Sequence, residues 1–480
     1  MQNNQMYING EFTPAADGQY FDVYNPATEE IISRVPRATN ADVIRAIEAA
    51  NHAQTHWERL PAIQRGQYLR LIAQGIRTRA EEIAHTISEE MGKTLALSLV
   101  EVNFTADYLD YMAEWARRYE GEILQSDRPN EHIFLYKKAI GVTTGILPWN
   151  FPFFLIARKT APALITGNTI VIKPSEESPN NAVLFAEIVH QIGLPKGVFN
   201  MLTGFGNEIG GELSSNEKIG MVSFTGSLLT GQKVMEAAAK NIIKVNLELG
   251  GKAPAIILDD ADLELAATAV VNSRIINSGQ VCNCAERIYV HESIKQPFLA
   301  KLIEKMQAVR YGNPLLQKDI DMGPLVNEKG LNKVKELVAQ AVQQGGNIVI
   351  GGKAVSGKGY YFEPTIIDNV DNSMAIMRAE IFGPVIPIAT FHTLDEAISL
   401  ANDCEYGLTS SVYTQNLNKA MKIISRLKFG ETYVNRENFE AMQGYHAGWR
   451  KSGLGGADGK HGLEEYLQTQ VVYLQFDDQI

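Results

Sequence analysis

A chain of 480 residues is too long for one ordinary hydrophobic core and points to roughly two to four domains. Its 45 % hydrophobic and 21 % charged content, with 40 glycines, is that of a globular protein and excludes a disordered or fibrous chain. A net charge of −11 without a dense Lys/Arg run argues against nucleic acid as a partner, because a polyanion finds no basic face to meet.

The opening "MQNNQMYINGEF" lacks a basic stretch followed by an apolar run, so no secretory leader is read and a cytoplasmic location is expected. After a short strand region, Asn40 is a candidate N-cap. Apolar residues then recur at helical spacing at Val43, Ile47 and Ala50, and at Leu69, Ile72, Ala73 and Ile76, which makes the first 120 residues mainly helical. Between Gly121 and Val142, polar and apolar letters alternate on both sides of an Asp-Arg-Pro-Asn turn, predicting a long hairpin. The uncharged stretch Ala139 to Ala157 is about long enough to span a bilayer. Gly141, Gly145, Pro148, Asn150 and Pro152 would interrupt a spanning helix, so a strand, a turn and a helix start are expected instead, and no membrane association.

From Val142 onward strands and helices alternate: "VTTGI", a helix after Pro148, "TIVIKP", "NNAVLFAEIVHQIG", "VFNML", a short helix, "MVSFTG", "TGQKVMEAAAKN" and "IKVNLEL". This βαβα order predicts a parallel sheet covered by helices on both faces, with ligands at the carboxyl ends of its strands. A second α/β unit begins near Gly250 with "PAIILDD", "AERIYV", a long helix before "AVRYGNP", and "EIFGPVIPIATF".

Several strand ends carry candidate chemistry, each with a plainer alternative. "GFGNEIG" misses the dinucleotide fingerprint by one residue, whereas "SFTGSLLTG" places Gly226 and Ser227 where a helix opens and free N–H groups favour an anion. An ordinary strand-to-helix turn reads the same way. "VIKPSE" sets Lys173 and Glu176 at a rim where a ribose would lie, or simply in solvent. In "LPWNFPF", Asn150 is either a donor to an oxyanion or a helix N-cap. "LELGGKAP" offers Glu248 as a general base or as a surface carboxylate. "NSGQVCNCAERIYV" holds Cys282 and Cys284. Three cysteines in a reducing compartment argue against a disulfide framework, and the lack of a second ligand pair argues against a metal site. A nucleophile or a buried bystander remains.

In their order and spacing, Asn150, Lys173, Glu176, Gly226, Glu248, Cys282 and "EIFGPV" together resemble the aldehyde dehydrogenase superfamily over nearly the whole chain. "NRENFEAMQGYHAGWRKSG" and "GGADGKHGLEEYLQTQVVYLQ" are most similar to its bacterial members that oxidise lactaldehyde or glycolaldehyde. The resemblance implies an α/β fold in three parts. A Rossmann-like NAD-binding domain takes residues 1–120 and 143–248, and a catalytic domain takes 249–448. An oligomerisation arm takes 121–142 and 463–480, and 449–462 returns to the cofactor domain.

The family pattern Gly-Gln-x-Cys implies Cys282 as nucleophile and Cys284 as bystander. Asn150 and the Cys282 N–H would hold the oxyanion, hydride would pass to the nicotinamide, and Glu248 would activate water to release the acid. For NAD, the resemblance implies Leu147, Trp149, Lys173, Pro174, Ser175, Glu176, Gly206, Phe224, Gly226, Ser227, Leu249, Glu380 and Phe382. A small aldehyde would meet Arg158, Asn283, Glu440 and His446, and the chain would pair with itself, as a tetramer or at least a dimer. The competing readings are a semialdehyde dehydrogenase, either succinic-type, which Arg158 leaves open, or CoA-acylating, which Glu248 argues against, and a catalytically silent structural relative.

Overall fold

The computed structural model describes residues 2–477; Met1, and residues 478–480 at the end of the expected arm, lie outside it. Two large sheets organise the chain. The first has eight strands, and its centre is parallel: Lys244–Leu249, Ile219–Gly226, Val142–Ile146, Thr169–Lys173 and Phe199–Met201 lie side by side. Antiparallel strands flank this centre, Gly453–Leu454 beside Lys244–Leu249 at one edge, and Met6–Ile8 beside Phe199–Met201 followed by Glu11–Thr13 at the other. The second sheet has seven strands, and Ala253–Ile257, Ala285–His291, Val385–Phe391, Thr409–Tyr413 and Glu431–Val434 run parallel within it. Strands buried on both faces read in sequence as continuous apolar runs, which is why "TIVIK" and "APAII" are buried at every position.

The helix Pro152–Ile165 is buried throughout, packed between the first sheet and the helix Leu95–Ala113. Protein surrounds it on every side, which explains its uncharged approach without any lipid; among the described residues no helix is long and apolar enough to cross a membrane. Its only charges, Arg158 and Lys159, are both buried, and burying two cations demands partners. Near the N-terminus the cap differs from expectation. Thr39 in extended conformation precedes the helix Asn40–Arg59, and the Asp42 carboxylate accepts the Thr39 N–H at 2.9 Å. Asn40 is therefore the first helical residue and not the cap.

The hairpin forms from Glu122–Leu124 and Glu131–Ala139, and Leu467–Gln475 adds a third antiparallel strand along the full length of Glu131–Ala139. Ile123, Leu124, Tyr136, Val471, Tyr473 and Leu474 stand exposed on this small sheet.

Candidate active site

A cavity of about 1270 Å³ opens where the carboxyl ends of the first sheet face the second. Apart from Pro174, every residue assigned above to catalysis, cofactor or substrate lines it. Pro174 stands behind the wall, its carbonyl accepting from the Lys173 ammonium at 3.0 Å.

The loop that leads to Cys282 is a strained turn. Asn277, Ser278 and Gly279 take positive φ of 49°, 57° and 78° in succession. A side chain at Gly279 would stand 2.3 Å from the Gly383 carbonyl, which gives Gly-Gln-x-Cys a physical reason for its glycine. Gln280 locks the turn: its amide donates to the Asn277 carbonyl at 3.0 Å and accepts the Val326 N–H at 2.9 Å. The two cysteines part company here. Cys282 is half-buried on the cavity wall, whereas Cys284 is fully enclosed and burial pushes its thiol up to about 12. Only the first is placed to meet a ligand; all three cysteines are free.

Asn150 is cross-braced to this loop. Its side-chain amide donates to the Gln280 carbonyl at 3.0 Å, and its own carbonyl accepts from Asn277 Nδ2 at 3.1 Å. It does not cap the helix that follows. That task falls to Glu101, whose Oε1 accepts the N–H groups of Phe153 and Phe154 at 2.9 and 3.1 Å while Oε2 pairs with the buried Lys93. The N-cap alternative for Asn150 thus fails because another carboxylate supplies the cap.

Glu248 ends its strand inside the cavity, 4 % exposed, and accepts from Thr225 Oγ1 at 3.1 Å. Burial alone would raise its pKa, but Lys159, Arg158, His446 and the Thr225 hydroxyl together hold it below the usual carboxylate range. It is a buried carboxylate held ionised, not a surface glutamate. Lys159, whose ammonium donates to Ser223 Oγ at 2.9 Å, is brought down by burial to about 8 against the pull of Glu248.

Beyond Glu248, Gly250 and Gly251 let three elements converge. A side chain at Gly250 would meet the Glu380 carboxylate at 2.8 Å, one at Gly251 would meet the Cys282 carbonyl at 2.8 Å, and the Gly251 N–H donates to Glu380 at 3.0 Å. The segment bearing Glu380 and Phe382 is itself held by Glu286, a buried carboxylate that accepts the N–H groups of Ile381 and Phe382 at 2.8 and 3.1 Å. Lys252 and Arg274 balance its charge at 2.7 and 2.8 Å. Phe382, at φ 57°, meets Trp149 edge to face at 5.5 Å.

At the far end, Lys173 and Glu176 pair at 2.9 Å, and Ser227 caps the helix Leu228–Ala238. Gly206 opens a second helix, Gly206–Ser215, on the same wall, so the near-miss glycine stretch does reach the cavity. Two helix N-termini, a carboxylate beside an ammonium, and the glycine cradle before Glu380 fit a nicotinamide dinucleotide.

The four substrate candidates also converge. Asn283 Nδ2 donates to Glu440 Oε2 at 2.5 Å, and Arg158 NH1 lies 3.6 Å from Glu440 and 3.9 Å from Glu248. His446 is 2 % exposed, with Nδ1 2.5 Å from Glu431 Oε1, and Tyr433 donates to the other oxygen of Glu431. Burial and Arg158 oppose a charge on His446, but Glu431 and the neighbouring Cys282 outweigh them and hold the imidazole well above its ordinary range.

Glu101, Lys159, Glu286, Glu431 and Asp458 escaped sequence reasoning. Lys159 adjoins Arg158 on the helix expected after Pro148, and that adjacent pair of charges in an otherwise apolar helix was the available signal. Asp458 gave none: it binds Arg158 through both oxygens, Nε to Oδ1 at 2.9 Å and NH2 to Oδ2, from 300 residues away.

Comparison with known proteins supports the same reading. The aldehyde dehydrogenase family model matches residues 12–472. The chain is 65 % identical to lactaldehyde dehydrogenase of Escherichia coli strain K12 over 98 % of each chain. The crystal structure of lactaldehyde dehydrogenase from Escherichia coli superposes with a TM-score of 0.98 at 64 % identity, covering 99 % of this chain and 100 % of that one. A betaine aldehyde dehydrogenase from Staphylococcus aureus in complex with NAD+ gives 0.97 at 37 %, covering 99 % and 96 %. With a half-buried cysteine, a buried ionised glutamate and a braced asparagine around one dinucleotide-sized cavity, and with likeness of this extent, the chain belongs to the aldehyde dehydrogenase family.

Proposed function

We propose that this protein oxidises a short 2-hydroxyaldehyde, lactaldehyde or glycolaldehyde, to its carboxylic acid with NAD. The observation that carries the substrate reading is the polar cluster Arg158, Asn283, Glu440 and His446 beside Cys282, supported by the 65 % identity to lactaldehyde dehydrogenase. Arg158 NH1 and His446 can donate to a 2-hydroxyl, and Glu440 can accept from it.

Cys282 adds to the aldehyde carbon, and Asn150 and the Cys282 N–H hold the oxyanion so formed. When bound, NAD accepts the hydride that turns the adduct into a thioester. Glu248 then takes a proton from water, and the attack of that water frees the acid from Cys282. Ionised Glu248 favours hydrolysis over transfer of the acyl group to CoA, and the pairing of Arg158 with Asp458 speaks against a succinic-type semialdehyde.

NAD is favoured over NADP because the Glu176 carboxylate, which Lys173 holds ionised against its burial, would accept from a free 2′-hydroxyl and repel a 2′-phosphate. Lys173 and Glu176 would hold the adenosine ribose, Ser227 would meet the pyrophosphate, and Glu380 with Phe382, against which Trp149 packs, the second ribose; Leu147, Ser175 and Phe224 line the same cavity. The apolar residues exposed on the three-stranded arm support a homo-oligomer, a tetramer or at least a dimer.

The test is the ratio of kcat/KM for lactaldehyde to that for propanal, which lacks only the hydroxyl. A site built to bond that hydroxyl leaves its own polar groups unpaired without it, so propanal should be much the poorer substrate and His446→Ala should narrow the gap. Equal efficiency on the two aldehydes in the unmodified enzyme would overturn the reading.

A further inference from the structure

Asp458 sits at φ 69° and ψ 165°, a backbone region that is essentially glycine's alone. Strain of that kind persists only where the surroundings enforce it, and here the side chain has a clear engagement. Both carboxylate oxygens hold the Arg158 guanidinium, and the two residues are 1 % and 4 % exposed. Asp458 is not on the cavity wall. It grips Arg158 from behind, leaving NH1 to face Glu440 and Glu248.

A guanidinium on the wall of a substrate cavity is a ready clamp for a carboxylate, which it binds in a planar, two-pronged fashion. In this protein that fork is already filled from within. The remaining NH1 still donates to a neutral hydroxyl, but the charge that an anionic substrate would need is compensated. The charged groups at this end are Arg158, Lys159 and His446 against Asp458, Glu440, Glu248 and Glu431, so an incoming carboxylate meets more acids than bases.

We propose that Asp458 is a positioning residue for specificity: by occupying Arg158 it denies the pocket a carboxylate clamp and confines the enzyme to uncharged aldehydes. This rests on the hydroxyaldehyde reading above but concerns the charge of the substrate rather than its 2-hydroxyl. It also predicts which replacement the backbone accepts. Glycine suits φ 69° without strain, so Asp458→Gly releases Arg158 and relieves the turn together; Asp458→Asn keeps the shape and removes the charge.

The experiment measures kcat and KM for succinic semialdehyde and for butanal, which has the same four carbons and no carboxylate, in wild type, Asp458→Gly and Asp458→Asn. Lactaldehyde and propanal are run beside them. Wild type should strongly favour butanal over succinic semialdehyde. Both variants should shift that ratio toward the semialdehyde by about ten-fold or more, chiefly through a lower KM for the anion. A general loss of structure would depress both four-carbon substrates alike and leave their ratio unmoved. The proposal is overturned if wild type uses succinic semialdehyde as well as butanal, or if neither variant moves the ratio. Failure of the hydroxyaldehyde reading appears separately, as equal efficiency on lactaldehyde and propanal.

Discussion

Replacing Glu248 by glutamine separates the two halves of the reaction. The amide keeps the shape of the side chain and an oxygen for the Thr225 hydroxyl now bonded at 3.1 Å, so the strand end is preserved. Arg158, 3.9 Å away, retains Asp458 and Glu440 as counter-charges, while Lys159 loses the pull of Glu248 and keeps its hydrogen bond to Ser223. What is lost is the base. Removing a general base typically costs about 10²–10⁴ in rate, or about 2.7–5.4 kcal/mol at about 1.36 kcal/mol per tenfold. That cost falls on the attack of water alone, because oxidation of the cysteine adduct comes before it. Stopped-flow absorbance should show a rapid burst approaching one NADH per subunit, followed by a steady rate lowered by the factor above. If burst and steady rate fell by the same factor, Glu248 would act in orientation or cofactor binding, and its assignment as base would be refuted.

Cys282→Ala should abolish aldehyde oxidation while NADH binding, followed by fluorescence, stays near wild type, and Cys284→Ala should retain most activity; the reverse pattern would overturn the assignment drawn from Gly279 and Gln280. Wild type should show a far higher kcat/KM with NAD than with NADP, and Glu176→Gln should reduce that preference; comparable efficiency of wild type with both cofactors would remove Glu176 from the argument. Glu286, which burial would raise but Arg274, Lys252 and the Ile381 N–H hold at about 2, contributes stability that is complete above the ordinary glutamate range and lost as pH falls toward its folded value. Glu286→Gln should therefore destabilise by about 3–5 kcal/mol at neutral pH, the penalty for stranding buried cations, and its deficit in thermal midpoint should shrink as pH falls below about 4.3. A deficit independent of pH would show that the carboxylate's charge is irrelevant.

The succession of strands and helices along the chain and the general place of the cavity were legible in the sequence, since strands covered on both faces leave apolar runs and open sheets bind at their carboxyl ends. The choice between Cys282 and Cys284 was not legible from the residues themselves: two cysteines two positions apart differ only in what encloses each, and the resemblance had to decide. Asn150 posed the same difficulty. Whether it caps a helix or faces a ligand depends on Glu101, which lies on another helix and takes the first free N–H groups of Pro152–Ile165. Asp458 was least legible of all, because the aspartate of "GGADGKHG" has meaning only beside Arg158, 300 residues away in the chain.

The bracing around Gly279 makes one backbone frame serve two ends of the reaction. Arg274 donates to the carbonyls of Gly383 and Ala285, Glu286 carries the Ile381–Phe382 turn, and Gly279 rests against Gly383. Cys282 and the residues expected beneath the nicotinamide are thus set at a fixed separation before any ligand arrives. The loop from Arg436 to His446, by contrast, has no helix or strand and contributes Glu440 and His446 to the substrate end. Substitutions there can change which aldehyde is accepted while leaving the distance across which the hydride travels untouched, so new substrates are open to this scaffold without rebuilding its chemistry.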